Sequence, residues 1–184
     1  MKVILRRINL IIFIIFASFS SAQAKLFLEP YVGLAKQEVH IADLVDIADS
    51  YALGVKVGLT FNNKFYVGGD YLQAGPYKYG PLLNDEELTH SMFGAGFGAD
   101  YKIIRFWLGY YFDNEITVTK SCANLTGTAI KAGFGLVDSN KIRANLELVF
   151  HDITELNQLG FVSNIDNLKI VTTMVTVSFP INMR

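Results

Sequence analysis

Three histidines, one cysteine and a few clustered carboxylates are the residues of this 184-residue chain that could do chemistry. His151 is followed by Asp152 and Glu155, and Thr154 is the one hydroxyl close to it in sequence, so this run offers a base and at best a weak nucleophile. His90 and Ser91 are the right types for a base and a nucleophile, but adjacent strand residues project to opposite faces and cannot readily touch. His40 has no evident partner, and the lone Cys122 cannot form an intramolecular disulfide. Asp43, Asp46 and Asp49, like Asp85, Glu86 and Glu87, supply oxygens of the kind calcium takes, yet EF-hand spacing is absent and both groups read as solvated loops. Gly94, Gly96 and Gly98 recur every second residue, which marks a crowded strand wall and not a phosphate-cradling loop. No catalytic residue, metal site or cofactor is therefore predicted. A formal net charge of −1 gives no basic footprint for nucleic acid.

The remaining charges are more informative, because their spacing is that of strands. The N-terminus comes first: Lys2, Arg6 and Arg7 precede an apolar run from Leu10 to Ala17, and small residues end in Ala22-Gln23-Ala24. That is the three-zone pattern of an export signal, so residues 1–24 are expected to be a signal peptide and residues 25–184 a single domain. The apolar run is shorter than the roughly 18 to 20 residues of a spanning helix.

Along the domain, period-two alternation recurs in eight blocks, 26–37, 50–61, 65–75, 89–101, 104–113, 126–137, 141–152 and 168–179. Asn62-Asn63-Lys64, Tyr101-Lys102-Ile103 and Asp138-Ser139-Asn140 are tight turns, and four longer links, 38–49, 76–88, 114–125 and 153–167, alternate with them. Short turns at one end and long loops at the other describe an all-β, eight-stranded antiparallel up-and-down transmembrane β-barrel.

The two phases of alternation differ in kind. One holds large apolar residues such as Leu34, Leu53, Val57, Phe97, Phe106, Leu108, Ile130, Phe134, Leu146 and Val175 without a charge among them. The other holds Glu29, Lys56, Asp70, Asp100, Arg105, Lys131, Arg143 and Glu147, interleaved with glycines and with Trp107 and Tyr111 as aromatic filling. An eight-stranded barrel is only just wide enough for side chains to fill. The bulky phase therefore faces lipid, and the four acids and four bases face inward, where burial requires them to pair.

Aromatic residues on the outward phase gather at strand ends: Phe61, Phe65, Tyr101 and Phe179 near the turns, and Tyr51, Tyr71, Tyr110, Phe112 and Phe150 near the loops. They are candidates for the two interface girdles of a membrane barrel. In the first loop, Ile41, Leu44, Val45 and Ala48 fall at helical spacing and suggest a short amphipathic helix over the barrel mouth.

The chain thus resembles the small eight-stranded outer-membrane barrels, the class that includes the transmembrane domain of OmpA and the OmpX-type proteins. Pattern carries the likeness over residues 26–179, and the segment from Ser91 to Tyr101 (SMFGAGFGADY) shows it well. The resemblance implies an outer-membrane location in a Gram-negative cell envelope, a closed ion-paired interior and a structural, adhesive or surface-interaction role. It implies outer-membrane lipid, lipopolysaccharide and the barrel-assembly machinery as partners, with any extracellular partner unspecified.

Members often end on an aromatic residue, whereas here Phe179 is followed by Pro180-Ile181-Asn182-Met183-Arg184. Two other functions stay open. One is a lipid-modifying enzyme, an acyl hydrolase or transferase using His151, although the His-x-Ser arrangement of barrel deacylases is missing. The other is a small diffusion pore.

Overall fold

The structure is a computed structural model, and it describes residues 24–41, 44–62, 64–80, 86–137, 142–158, 161–164 and 168–182. The expected signal peptide, apart from Ala24, lies outside these residues, as do Asp43, Asp85, Asn63 and the turn Asp138-Ser139-Asn140.

Among the described residues every regular element is a strand. In chain order they are β1 (Ala24–Ile41), β2 (Leu44–Phe61), β3 (Phe65–Lys78), β4 (Glu87–Tyr101), β5 (Ile104–Val118), β6 (Ala123–Val137), β7 (Arg143–Gln158), β8 (Phe161–Asn164), β9 (Leu168–Ser178) and β10 (Ile181–Asn182). Each of β1 to β7 pairs antiparallel with its successor. The last long strand, β9, pairs with both β7 and β1, so eight strands close into a barrel with no free edge along its wall. The short β8 folds back on the end of β7, and β10 pairs with the start of β1. The seam therefore continues past Pro180: Phe179 N–H donates to Pro30 O at 2.9 Å, and Ile181 stands opposite Leu28.

At the turn end the strands stop where the sequence pattern stops. Asn62 and Lys102 adopt left-handed backbone (φ 53° and 55°), and Lys64 N–H closes the first turn on Phe61 O at 3.0 Å. At the other end the expectation fails. Three of the four links read as long loops, 38–49, 114–125 and 153–167, are mostly strand, because β1, β5 and β7 continue to Ile41, Val118 and Gln158 while β2 and β6 begin at Leu44 and Ala123. The helix expected around Ile41–Ala48 does not form. His40 pairs with Val45 and Ile41 with Leu44 across a hairpin. Ladder pairing with β9, which runs up to Ile41↔Leu168, holds that segment extended.

Register breaks explain why alternation did not reveal the extensions from β3 to β7, whereas β1 and β2 pair without a break up to Ile41↔Leu44. The breaks fall between Ala74 and Tyr77, between Phe93 and Gly94, between Tyr111 and Asn114, and between Thr126 and Gly127. A bulge inserts an unpaired residue and shifts which side chains face in. On β5 the inward positions run Arg105, Trp107, Tyr111 below the bulge and Asn114, Ile116 above it.

Large apolar side chains cover the outside: Leu34 is 73% exposed and Phe97 61%, with Leu53, Phe106, Leu108, Ile130, Leu146 and Val175 alongside them. So wide a band of exposed hydrocarbon needs a nonaqueous solvent. The barrel spans a membrane through this band.

Candidate functional site

The barrel interior is the place where polar chemistry concentrates. Glu29 comes from β1, Lys56 from β2, Asp70 from β3, Asp100 from β4, Arg105 from β5, Lys131 from β6, and Arg143 and Glu147 from β7. All eight face the lumen, and they form two quartets, each of two acids and two bases.

Nearest the turns, Arg105 Nη1 donates to both oxygens of Glu29 at 2.6 and 2.7 Å, and Arg143 Nη1 reaches Glu29 Oε2 at 2.6 Å. Both arginines also approach Asp100 at 3.3 Å. In the second quartet Lys131 Nζ lies 2.6 Å from Asp70 Oδ2 and 3.3 Å from Glu147 Oε2, while Lys56 Nζ donates to Glu147 Oε1 at 3.0 Å. The hydroxyls of Tyr31 (2.9 Å) and Tyr111 donate to the two oxygens of Asp70. Each quartet is formally neutral, the arrangement that makes burial of charge tolerable.

Aromatic rings complete the filling. Lys56 Nζ sits 4.2 Å from the Trp107 ring centroid, and the Arg105 guanidinium 4.2 Å from that of Tyr66. The glycines are the other half of this packing. Tyr31 lies over Gly54, Tyr66 over Gly98 and Trp107 over Gly133, and a Cβ at any of the three would overlap the ring.

Toward the loop end the ion pairs give way to a neutral layer. Asn114 donates its amide N–H to Thr128 O at 3.1 Å, which leaves its Oδ1 to accept from His90 Nε2 (2.7 Å) and His151 Nδ1 (3.2 Å). Gln37 Nε2 donates to Thr172 Oγ1 at 3.1 Å, so the Thr172 hydroxyl in turn donates to His151 Nε2 at 3.0 Å. Tyr79 OH donates to Gln37 Oε1 at 2.8 Å. The chain of donors sets both tautomers and leaves His90 Nδ1, buried, as the ring nitrogen without a partner. The two rings meet edge to face at 4.5 Å.

The histidines thus stand differently from their sequence neighbourhoods. His151 bonds Asn114 and Thr172, and not Asp152, Thr154 or Glu155; the Thr154 hydroxyl donates to Thr126 O on the outer side. His90 is buried while Ser91 lies on the opposite face. His40 has a partner after all, Glu38 at 3.7 Å. Thr172, His151 and Asn114 have the order of a nucleophile, a base and its orienting group. Yet Thr172 is completely buried and its oxygen is already held by Gln37, so no external substrate reaches it.

Above this layer the interior turns apolar, with Val39, Tyr77, Leu88, Ile116, Leu125, Ile153 and Ile170 buried together and Val118, Leu156 and Leu168 packed against them. Sequence reading missed this core, as it missed Tyr31, Gln37, Asn114 and Thr172 as lumen partners. Tyr31 and Gln37 share the inner phase of Glu29 and could have been read with it. Asn114 follows a bulge and could not.

The expected girdle residues lie on the outer wall: Tyr51, Phe65, Tyr71, Tyr101, Tyr110, Phe112, Phe150 and Phe179 are exposed, and Phe61 is half-buried. Phe112 packs edge to face with Phe93 at 5.3 Å. Cys122 is free and exposed.

No protein-family model matches the chain, and no curated protein matches its sequence. Solved structures do match its fold. The attachment invasion locus protein Ail of Yersinia pestis is 15% identical with a TM-score of 0.55, over 84% of this chain and 98% of that one. The same protein in complex with the heparin analogue sucrose octasulfate gives a TM-score of 0.57 at 15% identity, over 85% and 99%. Neisserial surface protein A is 13% identical with a TM-score of 0.55, over 85% and 98%.

Proposed function

Since the chain has the fold of the small eight-stranded Gram-negative outer-membrane barrels, we propose that it is a non-enzymatic outer-membrane protein with a structural or surface-interaction role. Its loop end faces the exterior and its lumen is closed. The carrying observation is the pair of neutral quartets, which draw side chains from seven of the eight wall strands into the axis. Direct Arg–Glu and Lys–Asp contacts at 2.6 Å leave no gap for ions between those partners. Recording from planar bilayers tests this. Native protein of verified insertion stays silent; stepwise conductance would overturn the closed lumen in favour of a diffusion pore.

The enzyme alternative is disfavoured by the burial of Thr172 and His151. Turnover of labelled outer-membrane lipid is expected to be absent in both the native protein and His151→Ala, and a turnover lost on that substitution would revive it.

Partners follow from the surface. The apolar belt meets lipid acyl chains, the outer aromatic residues sit at the two interfaces, and exposed Phe179, just past β9, or Ile181 on β10 offers the assembly machinery its end signal. At the loop end the segments 36–50, 73–91, 113–128 and 152–169 carry twelve Asp and Glu against four Lys, a formal −8. Ail is seen with a polyanion. This surface repels one, so the partner or the bridge to lipopolysaccharide phosphate must be cationic.

A further inference from the structure

The loop end of the barrel holds an open cavity of about 120 Å³ whose walls are Val39, Ile41, Leu88, Val118, Leu125, Leu168 and Ile170, with Glu86 at its side. It lies on the outer side of the His90–Asn114–His151 layer, within the apolar core that the upper strands enclose. We propose that this cup binds one aliphatic or phenyl side chain of a basic segment from an extracellular partner protein. The proposal rests on the reading above that the loop end faces outward, and it names the partner's chemistry.

Three observations converge on that occupant. The lining is hydrocarbon, so the inserted group is apolar; a polar one would lose its hydrogen bonds to water without replacement. The volume is comparable to the roughly 150 Å³ apolar cavity that takes up benzene, so it holds a single side chain and not an acyl tail. The surroundings are acidic on every hairpin, with Glu38, Asp46, Glu87, Glu115 and Glu155 among the charges. A small monovalent cation would answer one of these carboxylates, whereas a polybasic segment answers many at once and gains in on-rate as well as affinity. Glu86 itself is anchored, its carboxylate accepting from Lys120 N–H at 3.0 Å, which sets a fixed negative charge beside the opening.

The test uses the barrel in zwitterionic phosphatidylcholine nanodiscs and three labelled nonapeptides read by fluorescence anisotropy. One is lysine-rich with a central leucine, the second has alanine at that place, and the third is glutamate-rich with the same leucine. The leucine peptide should bind the native barrel roughly tenfold more tightly than the alanine peptide, the worth of burying one such side chain. The glutamate peptide should not bind. Val118→Phe and, independently, Leu168→Phe fill the cup from partly buried positions. In whichever variant keeps the native heat-dependent gel shift, the leucine advantage should vanish while alanine-peptide binding persists. Equal binding of the two basic peptides to native barrel, no binding of either, or an advantage that survives both fillings would overturn the cup. None of those results bears on the closed lumen, which stands or falls on conductance.

Discussion

Strand β5 passes through two environments. From Ile104 to Phe112 its outward side chains are Phe106, Leu108, Tyr110 and Phe112, and its inward ones include Arg105 and Trp107. Past the bulge, the outward side chains are Glu115 and Thr117, and the buried ones are Asn114, in the neutral layer, and then Ile116 in the apolar core. On β1 the outward side chains likewise turn from Leu34 to Lys36 and Glu38 while Val39 faces in, whereas the facing part of β2 keeps Val45 and Ile47 outside beside Asp49. One sheet therefore serves two solvents. In the belt, lipid surrounds the wall, so removing apolar surface from it gains little and the interior is organised by paired charges and backbone ladders. Above the belt water surrounds the wall, and an apolar interior is stabilised as in a soluble barrel. The glycine pattern follows: the rings over Gly54, Gly98 and Gly133 belong to the belt section, where a narrow lumen holds charged side chains and aromatics together.

The largest effect should come from unbalancing the lower interior. Lys131→Met removes the cation shared by Asp70 and Glu147 and leaves buried carboxylates short of a partner. Breaking such a pair costs about 3–5 kcal/mol. Urea unfolding in detergent micelles measures it. A loss under about 1 kcal/mol, as for exposed pairs, would mean that the lumen is wet and would collapse the distinction between a sealed section and an open one.

The upper section should respond through packing instead. Ile116→Ala opens a void in the apolar core, and such truncations cost about 2–5 kcal/mol. Here the loss should be local. Hydrogen exchange at the amides of 114–118 and 123–125 should quicken while those of the belt strands stay protected. Uniform quickening along β5 would show that the two sections unfold as one unit and that the reversal in polarity has no energetic boundary.

How much of this was legible varies along the same line. In the belt every second residue faces lipid, and the contrast between Leu108 and its neighbours Trp107 and Gly109 reads directly as a wall with two faces. The turn ends were legible because Asn62 and Lys102 mark reversals that the ladder obeys. The inner phase of Glu29, Lys56 and Lys131 was legible for the same reason, though which acid meets which base was not, since pairing depends on strand stagger across the lumen. Above the belt the signal failed twice over. Bulges at Ala74–Tyr77 and Tyr111–Asn114 shift the phase on β3 and β5, and in the unbroken β1–β2 hairpin apolar residues stand on both faces, so Ile41, Leu44, Val45 and Ala48 looked like a helix face when they belong to a hairpin. Asn114, which joins His90 to His151, lies directly beyond such a break.

A matched pair of substitutions on the outer face locates the boundary between the sections. Leu108 stands at the centre of the outward row of β5 and Thr117 near its loop end, both on the wall and neither in the lumen. Leu108→Arg places a guanidinium in hydrocarbon, which costs about 2–4 kcal/mol at the midplane of a barrel. Thr117→Arg places it in water, where substitutions away from specific contacts stay within about 0.5 kcal/mol. Both are read by the same folding titration in phospholipid vesicles. A scan of arginine through Leu108, Tyr110, Phe112, Glu115 and Thr117 should fall from the first value across the interface residues Tyr110 and Phe112 and reach the second by Glu115. A cost that stays high at Glu115 and Thr117 would extend the lipid belt over the apolar core, and the exterior would then have no access to the cavity beside Glu86.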